Sequence, residues 1–309
     1  MSEALTLLLL LVDSTVRLAT PLVLAAFAGL YCERAGVVDV GLEGKMLAGA
    51  FAAAATAYAT GSPWLGLLAA IGAGIALALV HGFACVTHAG NQVVSGMAIN
   101  ILVAGLAPTL AFAWFRQGGQ TPLLPGSARL PQIHLPVPLL DDLNVLIWLT
   151  AAVVGVTAWM LHRTRFGLRL RAVGENPAAV DSAGLSVARL RYQALLVTGA
   201  LTGVAGAYLS TAHGAGFVRD MTAGKGYLAL AALVFGKWRP WPTLAACLLF
   251  AFTDAVQVRL QGVALPLIGT IPVQFIQALP YVLTVLLLAG FVGRAVAPKA
   301  SGVAYVKER

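Results

Sequence analysis

WLGLLAAIGAGIALALVHGFACV, residues 64–86, is a run of 23 residues with no Asp, Glu, Lys or Arg. A helix of about 20 apolar residues crosses the hydrocarbon core of a bilayer, so this run predicts a transmembrane span. Similar runs recur along the chain. The 309 residues are 59% hydrophobic and 10% charged, whereas ordinary soluble domains carry about 25% charged residues. This composition excludes a soluble enzyme, a disordered regulator and a coiled coil.

The apolar runs predict an all-α, polytopic transmembrane helical bundle of about nine (8–10) spans, folded as a single domain over residues 1–309. The predicted spans are residues 5–31, 37–58, 64–86, 93–115, 145–161, 192–212, 227–235, 241–258 and 275–292. The seventh run is too short for an upright span. It is therefore either a short tilted crossing or a half-helix buried in protein. The first run has no Lys or Arg before it and no A-x-A site after it, which favours a retained span over a cleaved leader.

Basic residues predict the orientation of the chain. With nine crossings and the N-terminus outside, the cytoplasmic side receives most of the Lys and Arg residues, including six arginines within 163–191. The outer side receives only Arg116, Arg129, Arg219, Lys225 and Arg259. This asymmetry predicts a multi-pass protein of the cell inner (plasma) membrane with a cytoplasmic C-terminus. A re-entrant seventh run would place the basic C-terminus outside, so the same asymmetry favours a true crossing there.

The net charge of +8 is explained by this topology and does not indicate a nucleic-acid partner. Cys32, Cys85 and Cys247 lie far apart in apolar runs, so neither a metal site nor a disulfide framework is predicted. Tryptophans near the predicted span ends indicate an interfacial belt. These are Trp64, Trp114, Trp148, Trp238 and Trp241.

Two polar connections are long. Residues 116–144 contain five prolines and predict an ordered outer loop rather than a helix. Residues 163–191 are basic, and Asn176 and Pro177 can begin a short helix at 177–183 that Gly184 closes. This helix either docks into a groove on another protein or belongs to an inert cytoplasmic loop.

Five motifs together resemble one family. They are RAGVVDVGLEGKMLAGA (34–50), NQVVSGMAINIL (91–102), GENPAAVDSAGLSVARLRY (174–192), GALTGVAGAYL (199–209) and GKGYLALAALVFGKWRP (224–240). In this order they resemble permease subunits of ABC importers, of the branched-chain amino acid and simple-sugar permease family in its nucleoside-type branch. The resemblance covers most of the chain and implies a type II-like permease architecture.

The resemblance also implies partners: a paralogous permease in a heterodimer, a cytoplasmic ABC ATPase and an extracytoplasmic substrate-binding lipoprotein. It implies that the loop at 174–192 couples the permease to the ATPase. The residues assigned to coupling are Gly174, Glu175, Asn176, Pro177, Ala178, Asp181, Ala183 and Gly184. GLEGKM (41–46) lacks the first Gly and the final Ser or Thr of a phosphate-binding loop, so the chain needs no cofactor of its own and ATP is bound by the partner.

Polar side chains within the spans are candidates for structure or transport. Asp39 and Glu43 share a helical face at i, i+4 spacing and repel one another, with Lys45 close enough to offset their charge. They are either capped by the amides of Gly36, Gly41 and Gly44 or paired with a neighbouring chain, and a structural role is favoured over one in translocation.

Other polar groups are candidates for the substrate pathway. Amides can bind a nucleobase or ribose, but they serve equally well in hydrogen bonds between helices. The candidates are Asn91, Gln92, Ser95, Asn100, Asp254, Gln257 and Gln274. Gly199, Gly203 and Gly206 instead predict close helix packing.

The leading hypothesis is a non-enzymatic subunit that translocates nucleosides or related small polar solutes. A simple sugar, a branched-chain amino acid and a flavin-like molecule are alternatives within this class. An ion-coupled secondary transporter would need inward-facing carboxylates, for which Asp39, Glu43 and Asp254 are available. An intramembrane protease is disfavoured, because the sequence has no H-E-x-x-H motif.

Overall fold

The structure is a computed structural model that describes residues 3–134, 142–260, 264–265, 269–270, 278, 282, 285 and 295–307. Its helices are α1 (Glu3–Arg34), α2 (Leu42–Thr60), α3 (Pro63–Gly82), α4 (Gln92–Phe115), α5 (Val145–Arg163), α6 (Arg165–Glu175), α7 (Pro177–Ser182), α8 (Val187–Ala207), α9 (Lys225–Phe235) and α10 (Pro240–Leu260). Short π-helical segments, Phe83–Thr87 and Tyr208–His213, extend α3 and α8.

The strands are short. β1 (Gln132–Ile133) pairs with β2 (Leu143–Asn144) in antiparallel register, and β3 (Ala264–Leu265) pairs in the same way with β4 (Gly269–Thr270). The all-α prediction is therefore confirmed, since the strands are two-residue hairpin pairs beside long helices.

Six helices are long and apolar enough to cross a membrane among the described residues: Leu8–Arg34, Pro63–Thr87, Gln92–Phe115, Val145–Arg163, Val187–His213 and Pro240–Arg259. Each coincides with a predicted span. The second run forms α2, a 19-residue helix. The seventh forms α9, whose 11 residues extend about 16 Å, short of a core about 30 Å thick. The ninth run, 275–292, lies almost entirely outside the described residues. The predicted count of nine is thus approximate.

The centre of the bundle is formed by α8, which packs against α1, α2 and α3, and by α2, which also packs against α3. The glycines of α8 lie on this contact. A Cβ on Gly199 would lie 2.6 Å from the carbonyl oxygen of Gly74, and one on Gly49 would lie 2.9 Å from the Cα of Gly203. The backbones of α2, α3 and α8 are therefore as close as glycine allows. This confirms the packing role predicted for the glycine stripe.

The predicted cytoplasmic segments meet at one end of the bundle, here called the basic end. The Arg34 guanidinium donates to the Trp238 carbonyl with Nε 2.8 Å from the oxygen. The Ala300 amide donates to the Gly174 carbonyl at 2.8 Å, and Lys307 Nζ lies 3.2 Å from Asp181 Oδ1. Segments far apart in sequence are therefore held side by side.

The predicted outer segments meet at the other end. The Thr121 amide donates to the Phe217 carbonyl at 3.0 Å, and the Leu124 amide donates to Ala215 at 2.8 Å. Arg17 donates to the Asp142 carbonyl at 3.2 Å. Residues 116–134 of the proline-rich loop are thus ordered on the backbone of 211–217, and residues 135–141 lie outside the described part of the chain.

One predicted belt residue is buried. Trp238 is only 6% exposed and its indole N–H donates to Glu33, whereas Trp64, Trp114 and Trp241 are exposed. The prediction of an interfacial position for Trp238 was wrong. Its indole binds the end of α1, because a carboxylate at that depth requires a donor.

Candidate functional site

The connection between α1 and α2, residues 35–41, is irregular backbone that lies mostly buried. Its position follows from Gly36, whose φ of +78° turns the chain back towards the bundle. The predicted second span began at residue 37, whereas α2 begins at Leu42. Irregular backbone at membrane depth is stable only when its polar groups are bound by protein or water.

Side chains of α3 and α4 supply those partners. The side-chain oxygen of Gln92 accepts the Val38 amide at 2.6 Å, and His81 Nε2 lies 3.1 Å from the Val38 carbonyl oxygen. Asn100 donates to the Val40 carbonyl at 2.9 Å and accepts the Gly44 amide at 2.8 Å. Gln92 and Asn100, predicted as pathway residues, therefore bind the backbone of 35–44. Their role in a substrate pathway stays a prediction, and Asn100 also lines a cavity.

A fully buried ion pair lies at the same place. Lys45 Nζ contacts Asp39 Oδ2, and the Gly41 amide donates to Asp39 Oδ1 at 3.0 Å. The same oxygen, Oδ1, also faces His81, whose Nε2 lies 4.0 Å away. Compensation by Lys45 was predicted and is present. Of the three glycines expected to cap the carboxylates, only Gly41 does so, since the Gly44 amide binds Asn100 and the Gly36 amide binds the Glu33 carbonyl. This pair is a structural feature of the α1–α2 connection.

Glu43 has different partners from Asp39. Its two carboxylate oxygens accept the amides of Gly224 and Gly226, at 2.8 Å and 2.6 Å. These amides begin α9, so the carboxylate binds the positive end of that helix. The prediction that Asp39 and Glu43 share a helical face was wrong, because Asp39 lies before α2, and each carboxylate has partners of its own.

A cavity of about 310 Å³ lies beside this contact, between α2, α4 and the start of α9. Leu47, Met97, Ile101 and Ala104 form its apolar wall. Its polar lining comes from Glu43, Asn100, Asp220, Thr222 and Tyr227. The Tyr227 hydroxyl accepts a hydrogen bond from Asn100 Nδ2 at 2.9 Å.

Sequence reasoning missed Tyr227 and His81 as members of this arrangement. Tyr227 begins the seventh predicted span, and no local pattern marks its hydroxyl as a partner of Asn100. His81 is the one strongly polar side chain in the apolar run 64–86. A polar side chain within a span is retained only where it has a partner, so an isolated histidine in an apolar run predicts a polar contact inside the bundle.

The other pathway candidates lie elsewhere. Asn91 caps α4, accepting the Val94 amide at 3.0 Å. Ser95 lies 3.0 Å from His81 Nδ1. Asp254 on α10 is half-buried, near enough to Lys225 for their opposite charges to interact, and Gln257 makes no hydrogen bond to the described residues. Gln274 lies outside the described residues. The structure therefore brings Gln92, Ser95 and Asn100 together, and Asp254 and Gln257 lie on a separate helix.

The predicted short helix in the basic stretch is present as α7, Pro177–Ser182. The Asn176 side chain caps it, accepting the Ala179 amide at 3.1 Å, and Gly184 has a φ of +78° after its end. The longer helix α6 before it was not predicted. Val180 packs α7 into a buried cluster with Leu170 and Val187.

The residues assigned to coupling fall into two groups. Gly174 is buried, and a Cβ there would collide with the backbone of Arg34, so this residue holds the segment in place. The others form a mostly exposed surface of small side chains. Its members are Glu175, Asn176, Pro177, Ala178, Asp181, Ala183 and Gly184. Within the described part of the chain, no group of three His, Cys, Asp or Glu side chains could hold a metal ion.

The fold is that of a multi-pass helical membrane protein. The family described as "Branched-chain amino acid transport system / permease component" matches residues 11–293. The chain therefore belongs to this family of permeases, and the resemblance stated from its motifs is confirmed.

Three curated relatives are permeases of ABC transporters. The chain is 38% identical to the guanosine ABC transporter permease protein NupQ of Bacillus subtilis, over 97% of this chain and 98% of the relative. It is 36% identical to the nucleoside ABC transporter permease protein NupC of Lactococcus lactis, over 94% and 95%. It is 28% identical to the guanosine ABC transporter permease protein NupP of Bacillus subtilis, over 77% and 71%.

A solved structure has a similar fold. It is described as an inward-facing conformation of a metal-chelate type ABC transporter. The likeness covers 92% of this chain and 87% of that chain, with a TM-score of 0.52 and 16% sequence identity. The fold of this chain is thus that of an ABC transporter permease.

Proposed function

We propose that the chain is the translocation subunit of an ABC importer for nucleosides. The observation that carries this proposal is the full-length similarity to permeases named for guanosine and for nucleosides. The cavity beside α9 is compatible with it, because apolar walls with a few converging hydrogen-bonding groups suit a small, uncharged, polar solute.

ATP hydrolysis belongs to a separate ATPase in this proposal, and the exposed face of α7 is its docking surface. Two features support this assignment. The small side chains of α7 leave its backbone accessible, and the helix is fixed to the bundle by Val180 and the Asn176 cap. The basic end, which includes α7, then faces the cytoplasm of a cell whose inner membrane holds the bundle.

The remaining partners are a paralogous permease and an extracytoplasmic lipoprotein that delivers the substrate. The heterodimer is supported by the two permeases of Bacillus subtilis, NupQ and NupP, which are both named for guanosine and both similar to this chain.

The test is transport by a reconstituted complex. Proteoliposomes would contain this chain, the paralogous permease, the ATPase and the lipoprotein from the same genome. We expect ATP-dependent uptake of labelled guanosine or adenosine, unaffected by excess ribose or leucine. Uptake of a sugar or an amino acid in place of nucleosides would contradict the substrate class. Uptake driven by an ion gradient without ATP would favour a secondary transporter.

A further inference from the structure

We infer that the cavity between α2, α4 and the start of α9 is a nucleoside-contact site, in which Glu43 accepts and Tyr227 donates hydrogen bonds to the substrate. This inference deepens the proposed function and rests on it. The described residues leave hydrogen-bonding capacity unused around the cavity.

The donor is identified by the hydrogen bonds of Asn100. Both hydrogens of its amide are used, one on the Val40 carbonyl and one on the Tyr227 hydroxyl, each at 2.9 Å. The Tyr227 oxygen therefore accepts from Asn100. No acceptor for the hydroxyl hydrogen is present among the described residues. Because Tyr227 lines the cavity, this hydrogen is available to a solute inside it.

The acceptor is Glu43. Each of its oxygens accepts one backbone amide, from Gly224 or Gly226. A carboxylate has about four acceptor positions, so each oxygen retains one. The carboxylate is half-buried and its position is fixed by the two amides. Neighbouring hydroxyls such as those of a ribose are donors that a fixed carboxylate can bind as a pair, as the acidic residue of dinucleotide-binding folds does.

The remaining walls suit the rest of a nucleoside. Met97 and Ile101 of α4 and Leu47 of α2 provide apolar surface beside the polar groups. A volume of about 310 Å³ is within the lower range of small-molecule pockets, about 300–1,000 Å³. Nothing in this lining offers a cation for an anionic solute, and its two carboxylates, Glu43 and Asp220, suit a solute that brings several hydroxyl donors.

Cysteine protection tests the site in the reconstituted complex. Ile101 lines the cavity and is 70% exposed, whereas its neighbour Leu102 is 55% exposed and does not line it. The native Cys32, Cys85 and Cys247 are all buried, so they give little background. Both positions lie within the span formed by α4, so Ile101→Cys and Leu102→Cys form a matched pair for labelling with a small membrane-permeant maleimide.

We expect guanosine, supplied with the lipoprotein, to slow labelling of Ile101→Cys several-fold and to leave Leu102→Cys unchanged. Ribose and leucine should protect neither variant. Equal labelling of Ile101→Cys with and without guanosine, in a complex that transports guanosine, would overturn the site alone. A wild-type complex that transports no nucleoside would overturn both the site and the proposed function.

Transport kinetics give a second measurement. Tyr227→Phe removes the donor, and we expect KM for guanosine uptake to rise about two- to tenfold, the effect of losing one neutral hydrogen bond. Tyr208→Phe is the matched control, because its hydroxyl donates to the Arg17 carbonyl outside the cavity. A KM that is unchanged in Tyr227→Phe, or raised equally in both variants, would remove Tyr227 from the site.

Discussion

At the scale of single residues, the buried pair of Asp39 and Lys45 is the feature in which each residue depends most strongly on its partner. Neither side chain is exposed, so each depends on the other for compensation of its charge. Removing one partner of a buried pair leaves an uncompensated charge and is much more costly than removing both.

We therefore predict that Asp39→Asn lowers the free energy of unfolding by about 3–5 kcal/mol. The double variant Asp39→Asn with Lys45→Met should recover much of that loss. Thermal unfolding of the purified protein in detergent measures both effects. If the double variant were no more stable than Asp39→Asn, the pair would not be the source of the destabilisation.

Some of these residue contacts can be predicted from the local sequence, and others cannot. Lys45 is close enough in sequence to offset the charge of Asp39, but residues at i, i+6 lie on different faces of a helix. The two pair because Asp39 lies in the irregular connection before α2. Glu43 binds amides 181 and 183 residues further on. No local pattern encodes such a contact, since it depends on how the chain folds between them. The hydrogen bonds of Gln92 and Asn100 were equally compatible with a substrate and with another helix until the irregular backbone of 35–41 was located.

At the scale of helices, glycines that look alike in the sequence differ in how closely a neighbouring helix packs against them. A Cβ on Gly203 would lie 2.8 Å from the carbonyl carbon of Ala70, whereas one on Gly105 of α4 would meet no atom within 4 Å. Both residues lie inside helices, where alanine is intrinsically the better helix former.

Gly203→Ala should therefore destabilise the bundle by about 1–3 kcal/mol through overpacking. Gly105→Ala should be neutral, or stabilising by about 0.5–1 kcal/mol. Melting temperatures of the two variants in the same detergent compare them directly. Equal melting temperatures would show that α8 can move away from α3 at little cost.

The exposed face of α7 supports a second prediction at this scale. Ala178→Trp adds a bulky side chain to the proposed docking surface without disturbing the buried Val180. We expect the variant to fold normally but to lose most ATPase binding in a pull-down. Ala152→Trp, an exposed alanine of α5 outside the coupling segment, is the control. Normal ATPase binding by Ala178→Trp would place the docking surface elsewhere.

Helix prediction from sequence succeeded where the local rules are strong. The Asn176–Pro177 start and the Gly184 stop define α7, and long apolar runs define six spans. It failed where tertiary contacts determine whether a segment is helical and where a helix begins. Val37 and Val38 are apolar and predict the start of a span. Gln92 and His81 instead bind the Val38 amide and carbonyl, so this backbone does not become helical. The length of α9 also depends on its neighbours, because Glu43 determines where it begins.

At the scale of the whole molecule, the C-terminal tail, residues 295–307, contacts several of the segments that form the basic end. Ala300 is buried, and its amide binds Gly174 just before α7. Lys307 binds Asp181 within α7. Gly36, at the start of the buried α1–α2 connection, lies against the same Ala300. The tail thus links α7 to the connection that carries the Asp39–Lys45 pair.

We predict that reversing one charge of the outer contact weakens coupling and that reversing both restores it. Lys307→Glu faces Asp181 with a like charge, and Asp181→Lys in the same chain re-forms an opposite pair. Because the contact is exposed at Lys307, it is worth at most about 1 kcal/mol, so ATPase binding should fall by no more than about fivefold. Because Asp181 also lies on the proposed docking surface, Asp181→Lys alone is the control. A double variant that binds the ATPase no better than either single variant would show that restoring the charge pair does not restore docking.

The position of this tail also sets an order of events during synthesis. At about 5–20 residues per second, the ribosome reaches residue 300 several seconds after it has completed α7. Until then, the Gly174 carbonyl lacks the Ala300 amide and Asp181 lacks Lys307. A chain broken off before Ala300 presents α7 without these supports. The supports of α7 are therefore made after α7 itself, and its final position depends on a contact with a residue 126 positions further along the chain.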